Sequence, residues 1–170
     1  MEVIDQIHTT RSEAETIELA RKFAARLSRG DVVALSGNLG SGKTRFVQGV
    51  CDAFGVRSHV SSPTFVILNR YEGLDDNGDE ILIHHFDLYR ISSTEEVYDL
   101  GYEEFFAGDG ICLIEWADYL GELLPPQRYD VYLTLGEAAD VRTIEIRRVS
   151  IGPTVGADAA QRVMHVDSRH

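Results

Sequence analysis

Lysine is almost missing from this chain. Of its sixteen basic residues fourteen are Arg, and only Lys22 and Lys43 are Lys. An ordinary surface position here takes Arg. Lys43 therefore needs a reason that Arg cannot meet, such as a compact ammonium on a thin stem threading a narrow loop. An excess of positive charge is missing too: the formal net charge is -12. That argues against broad direct contact with nucleic acid, whose polyanionic backbone selects basic surfaces. The acids gather in "EGLDDNGDE" (72–80) and "EEVYDLGYEEFFAGD" (95–109), which read as solvated faces or as a surface for a basic partner, with 95–109 a candidate docking face.

No apolar run approaches the ~20 residues of a membrane span. The start, "MEVIDQIHTT", lacks the basic and apolar regions of a signal peptide. The expectation is a cytoplasmic protein with no membrane partner. The two cysteines, Cys51 and Cys112, lie in apolar runs without metal-ligand spacing and read as buried, reduced thiols. Repeats and low-complexity tracts are absent.

What is present is a mixture of helical and strand patterns in 170 residues, which predicts one domain over 1–150 and a loose tail over 151–170. "RSEAETIELARKFAARLSRG" predicts a helix opened by a Ser12–Glu15 capping box and stopped by Gly30. "VVALSG" (32–37) reads as a buried strand, and "KTRFVQGVCDAF" as a helix closed by Gly55. "TFVILNRYEG" (64–73) and "EILIHHFDLYR" (80–90) form a hairpin pattern across "LDDNGD". A second capping box, Ser93 to Glu96, opens a helix reaching at least Leu100. "GICLIEW" (110–116), "YDVYLTLG" and "TIEIRRV" read as three more strands. The fold class is α/β with layers on both sides of a mixed sheet, since a hairpin cannot be parallel.

Between the first strand and the second helix stands "GNLGSGKT". Gly37, four residues, then Gly42-Lys43-Thr44 match G-x-x-x-x-G-K-[ST] in full, and the strand-before, helix-after context matches as well. Gly37, Gly40 and Gly42 allow backbone angles that turn successive N–H groups onto an anion, with Asn38, Leu39 and Ser41 filling the intervening positions. The helix N-terminus adds partial positive charge. Lys43 reaches the β- and γ-phosphates of a nucleoside triphosphate, and the Thr44 hydroxyl holds Mg²⁺.

Such a loop needs acids for the metal and the attacking water. Asp87 and Glu115 each end a predicted strand, where ligands of α/β sheets sit. In "SSPTF", Thr64 follows a rigid proline and can place a hydroxyl near the metal or γ-phosphate. His84 and His85 alternate on one strand, one expected inward and one outward, so they do not make a metal pair. Trp116 suits the core and the nucleotide pocket equally.

The segments "GNLGSGKTRFVQG", "SSPTFVILNRYEG", "HHFDLYRI", "DLGYEEFFAGDGICLIEWAD" and "LLP" occur in the order of the TsaE family, which the chain resembles over residues 12 to 148. The resemblance implies a phosphate-loop NTPase-like three-layer sandwich that binds ATP with Mg²⁺ and hydrolyses it slowly alone. It implies docking on a complex of TsaB-like and TsaD-like proteins, in which TsaD modifies an adenosine beside the tRNA anticodon, while hydrolysis resets that complex between turnovers. On that resemblance Lys43, Thr44 and the neighbouring Arg45 serve the nucleotide. Asp87 and Glu115 sit at the metal or water, Thr64 and Trp116 lie near the γ-phosphate, and Glu13 of "RSEAET" is a candidate on the base side. Three positions depart from the family pattern: Asn38 for the usual Asp, Ser41 where Ala is common, and Ala117 for a proline. Two other classes suit the same loop: a small-molecule or nucleoside kinase, with Arg90 serving as a lid arginine, and a nucleotide-gated binding module without catalysis.

Overall fold

The computed structural model describes residues 2–62 and 67–151. Seven strands form one mixed sheet in the order β1-β7-β6-β2-β5-β4-β3. They are β1 (Glu2–Thr10), β2 (Val32–Gly37), β3 (Leu68–Leu74), β4 (Glu80–Asp87), β5 (Ile111–Glu115), β6 (Gln127–Leu135) and β7 (Arg142–Ser150). The four central strands, β6, β2, β5 and β4, run parallel to one another. The flanks are antiparallel: β3 on β4, β7 on β6 and β1 on β7.

The central strands are apolar on both sides because both sides are covered. β2 shows this residue by residue. Val33 and Leu35 join a core with Phe23, Phe46, Val47 and Val50, from α1 (Glu13–Ala24) and α2 (Lys43–Ala53). Val32 and Ala34 join a second core with Val97 and Tyr102, from α3 (Thr94–Asp99) and α4 (Tyr102–Ala107). Cys51 and Cys112 are free and buried, one in each core, and burial pushes both thiols up to about 12.

The serine half of each expected capping box forms, while Glu15 and Glu96 reach back one residue further than the box requires, to the backbone N–H of Arg11 and the Ser92 amide at 2.9 Å. Ser12 Oγ accepts from the Glu15 amide at 3.1 Å, and Ser93 Oγ accepts from the Glu96 amide at 3.4 Å. α1 stops at Ala24 rather than running to Gly30. Gly30, at φ +86°, instead donates its N–H to the carbonyls of Asp109 and Gly110, tying the entry of β2 to the entry of β5. The helix opened by Ser93 closes at Leu100, and Gly101, at φ +68°, starts α4 afresh. The acids of 95–109 that this pair carries, such as Glu95, Glu103 and Glu104, are exposed.

β1 has no counterpart in the sequence pattern. Its register on β7 slips between Ile4 and Gln6, and a bulge there destroys the period-two alternation that marks a strand. β4 ends at Asp87, three residues short of the expected strand. His84 and His85 do face opposite sides of the sheet, but neither points to solvent. His84 packs edge-on against Phe105 and His85 lies wholly buried beside Tyr71, because both faces of β4 are covered. No helix among the described residues is long and apolar enough to cross a membrane. The expected tail lies outside the described residues from 152 onward, as do the first three residues of the expected 64–73 strand.

Candidate active site

The parallel centre of the sheet decides where the chemistry gathers. β5 and β6 flank β2 on opposite sides, and their ends leave a crevice above the point where the strand order diverges. Leu35 pairs with Glu115, and Glu115 pairs with Asp87, so the two strand-end carboxylates stand side by side next to the loop that leaves β2.

That loop is shaped by its glycines. Gly37 has φ +152°, and a Cβ on it would lie 2.6 Å from Ser41 Oγ. Gly42, at φ +104°, is the N-cap of α2 and supplies no side-chain cap. The first turn of α2 holds no acidic residue either, so its leading N–H groups face the crevice without an internal acceptor. Arg142 of β7 braces the loop from outside, donating to the Gly40 carbonyl at 3.0 Å.

Lys43 folds back over the loop. Its Nζ donates to the carbonyls of Gly37 at 2.6 Å and Asn38 at 3.0 Å, and Ser41 Oγ lies at 3.4 Å. The ammonium also lies 4.0 Å from the centre of the Trp116 ring, a cation–π contact. Burial pushes its pKa below the ordinary lysine value, opposed by the nearby charges of Glu115, Asp87 and Asp118. Among the described residues it has no salt bridge. Trp116 reaches it through a left-handed backbone at φ +59°, the only positive φ outside glycine among the described residues. That conformation costs roughly 1 kcal/mol or more, and persists because the surroundings fix it.

Glu115 is buried, with Oε1 accepting from the Thr44 hydroxyl at 2.9 Å and Oε2 lying 2.5 Å from His85 Nε2. Asp87 is half-buried. One of its oxygens accepts from the Ser62 hydroxyl and the other from the Tyr89 amide at 3.0 Å. At the far rim, Arg45 pairs with Glu13 at 3.2 Å, joining the first turns of α2 and α1. These groups border one cleft of about 730 Å³.

A sequence model of the family described as "Threonylcarbamoyl adenosine biosynthesis protein TsaE" matches residues 10–144. The chain belongs to the TsaE family. This TsaE-family chain is 41% identical over 130 residues to the "tRNA threonylcarbamoyladenosine biosynthesis protein TsaE" of Rickettsia typhi, covering 76% of this chain and 86% of that one. It is 40% identical over 119 residues to the protein of the same name from Bacillus subtilis, covering 70% and 71%. Among solved structures it resembles the crystal structure of YdiB of Bacillus subtilis. The TM-score is 0.70 at 29% identity, covering all of this chain (100%) and 96% of that one.

Most of the residues proposed from the sequence of this TsaE-family chain meet at the cleft. Leu39, Gly40, Gly42, Lys43, Thr44 and Arg45 line it from the loop side, and Asp87, Glu115 and Trp116 from the strand ends. Glu13 lines it too, on the α1 side. Gly37, Asn38 and Ser41 do not line it. The first two act through carbonyls that hold Lys43, and Ser41 is buried behind the loop. Thr64 lies outside the described residues. Trp116 packs partly on the second core and also lines the cleft. Sequence reasoning left out Ser62, Ile67, Tyr89 and Glu96, which share the lining. Ser62 stands inside "SSPTF" and Tyr89 inside "FDLYR", so adjacency to a chosen residue was the available signal.

Proposed function

We propose that this chain is an ATP-binding and ATP-hydrolysing subunit, dependent on Mg²⁺, that serves tRNA threonylcarbamoyladenosine modification from the cytoplasm. In this reading residues 1–150 form a single phosphate-loop NTPase-like three-layer sandwich, acting on a TsaB–TsaD pair and resetting it between turnovers. The observation that carries the reading is the meeting of a buried ammonium with no ion pair among the described residues, a helix start without a side-chain cap and two adjacent carboxylates at one cleft. The names of the relatives supply the pathway.

The residues fit the groups they are asked to hold. The Thr44 hydroxyl and the carboxylates of Asp87 and Glu115 are all hard oxygen donors, the set that Mg²⁺ prefers. When bound, the metal neutralises charge on the phosphate oxygens. Lys43 and the leading amides of α2 bind and orient the triphosphate. Trp116 walls off water beside Lys43, and Glu13 and Arg45 serve the base side. Asp87 and Glu115 divide between them the holding of the metal and the orienting of the attacking water, with Thr64 adding a hydroxyl at the γ-phosphate. The net charge of -12 leaves tRNA to the partners.

ATP and the partner complex favour one conformation in this reading, so each strengthens binding of the other. Sedimentation of the chain with a TsaB–TsaD pair in ATP, in ADP and without nucleotide tests this. Assembly is expected to depend on nucleotide, with faster phosphate release in the mixture. Identical profiles in all three conditions, or tight tRNA binding by the isolated chain, would sink the proposal. Arg90 does line the cleft, the one observation that favours a kinase instead. Phosphate release without any acceptor separates the two.

A further inference from the structure

Behind Glu115 runs a line of buried polar groups that the proposed chemistry does not use. His85 of β4 is wholly buried, and its Nε2 lies 2.5 Å from Glu115 Oε2. Its Nδ1 lies 3.1 Å from the Tyr71 hydroxyl of β3, which is itself 3.2 Å from the Ser61 carbonyl. Asn69 Nδ2 donates to the same carbonyl at 3.3 Å. The register explains the meeting. His85 pairs with Leu113, so Glu115 is its diagonal neighbour two residues on, on the same face of the sheet. Buried polar groups persist when each finds a partner, and here every ring nitrogen and both carboxylate oxygens have one.

From this geometry we propose that His85 is a positioning residue: it holds the Glu115 carboxylate in the plane that faces Thr44, and Tyr71 anchors it from the Ser61 side. With only Thr44 as a partner, the carboxylate would be free to swing about its last bond. With His85 on the second oxygen, any rotation breaks two hydrogen bonds at once. The line also ties residue 61, just ahead of the segment that carries Thr64, to the first turn of α2. The inference rests on the reading of Glu115 as a metal-holding or water-orienting group.

Two measurements test it. In the nucleotide-free protein, the His85 Nε2 proton donated to a buried carboxylate is expected as a slowly exchanging, downfield proton resonance that disappears in His85→Gln and moves in Glu115→Gln. Absence of any such proton in the wild type would overturn the proposal without reference to ATP. In steady-state hydrolysis, His85→Leu is expected to lower kcat about 10- to 100-fold and to raise the Mg²⁺ needed for half-maximal rate, the usual cost of losing a partner that orients a metal ligand. The KM for ATP should stay nearly unchanged. His85→Gln keeps an N–H donor at similar reach and should recover most of the rate. Tyr71→Phe removes one hydroxyl, keeps the test open should His85→Leu fail to fold, and is expected to cost about 5-fold in kcat. An unchanged kcat in these variants removes the positioning role, as does an equal loss in His85→Leu and His85→Gln that follows melting temperature. A wild-type protein that neither binds nor hydrolyses ATP removes the reading of the site itself, and the positioning role with it.

Discussion

The two longest helices among the described residues begin in opposite ways. α1 starts on Ser12, whose hydroxyl takes the Glu15 amide, and Glu13 and Glu15 place negative charge in its first turn. α2 starts on Gly42, with no side-chain cap and with Lys43 in its first turn. By the ordinary rules of helix stability α1 is well written and α2 is badly written, since acids stabilise a helix start and cations oppose it. The two lie packed together on one face of the sheet. The difference is what the proposed triphosphate site requires of the second start. What α1 supplies from its own sequence, α2 lacks, and in the proposed function the triphosphate supplies it.

Substitutions at the two starts should separate function from stability. The largest effect is expected from Lys43→Ala, which should abolish ATP binding in calorimetric titration, because the loop amides alone cannot offset a triphosphate's charge. An unchanged affinity would make the α2 start an ordinary turn. Next comes Glu115→Gln, expected to keep ATP binding but slow hydrolysis by about 100-fold or more. If the rate recovers at saturating Mg²⁺, Glu115 is a metal ligand only. Asp87→Asn should act more gently, raising the Mg²⁺ concentration for half-maximal rate, since a neutral amide draws a hard dication less strongly. A rate indifferent to both the substitution and the metal would place Asp87 outside the chemistry. The smallest effect belongs to α1: Ser12→Ala should lower unfolding stability by about 1 kcal/mol in denaturant titration. ATP affinity should hardly move, and a large drop there would erase the contrast between the helices.

The contrast itself was legible in the sequence because each part of it is local. A capping box spans four positions, and the glycine loop is read within a dozen. Asp87 and Glu115 were legible as strand ends, and their side-by-side placement follows from the parallel order of β4 and β5. What stayed hidden depends on register or on distant pairing. His85 was visible only as half of an adjacent pair, and its bond to Glu115 exists because β4 and β5 align at one register and no other. β1 pairs with β7 across nearly the whole chain, and its bulge removes the alternation that would have announced it. Gly30 looked like a helix stop, and its actual partners, Asp109 and Gly110, lie far along the sequence. Arg142, which braces Gly40 from β7, carried no local signal at all.

Trp116 has one more consequence. The sequence holds a single tryptophan, and its ring lies against the ammonium that the triphosphate would draw away. The protein therefore carries one strong ultraviolet fluorophore, placed where occupancy changes its electrostatic surroundings. If the cleft takes a triphosphate as proposed, emission from that indole would report its filling and emptying in real time, with no label attached and no other tryptophan in the sequence to dilute the signal.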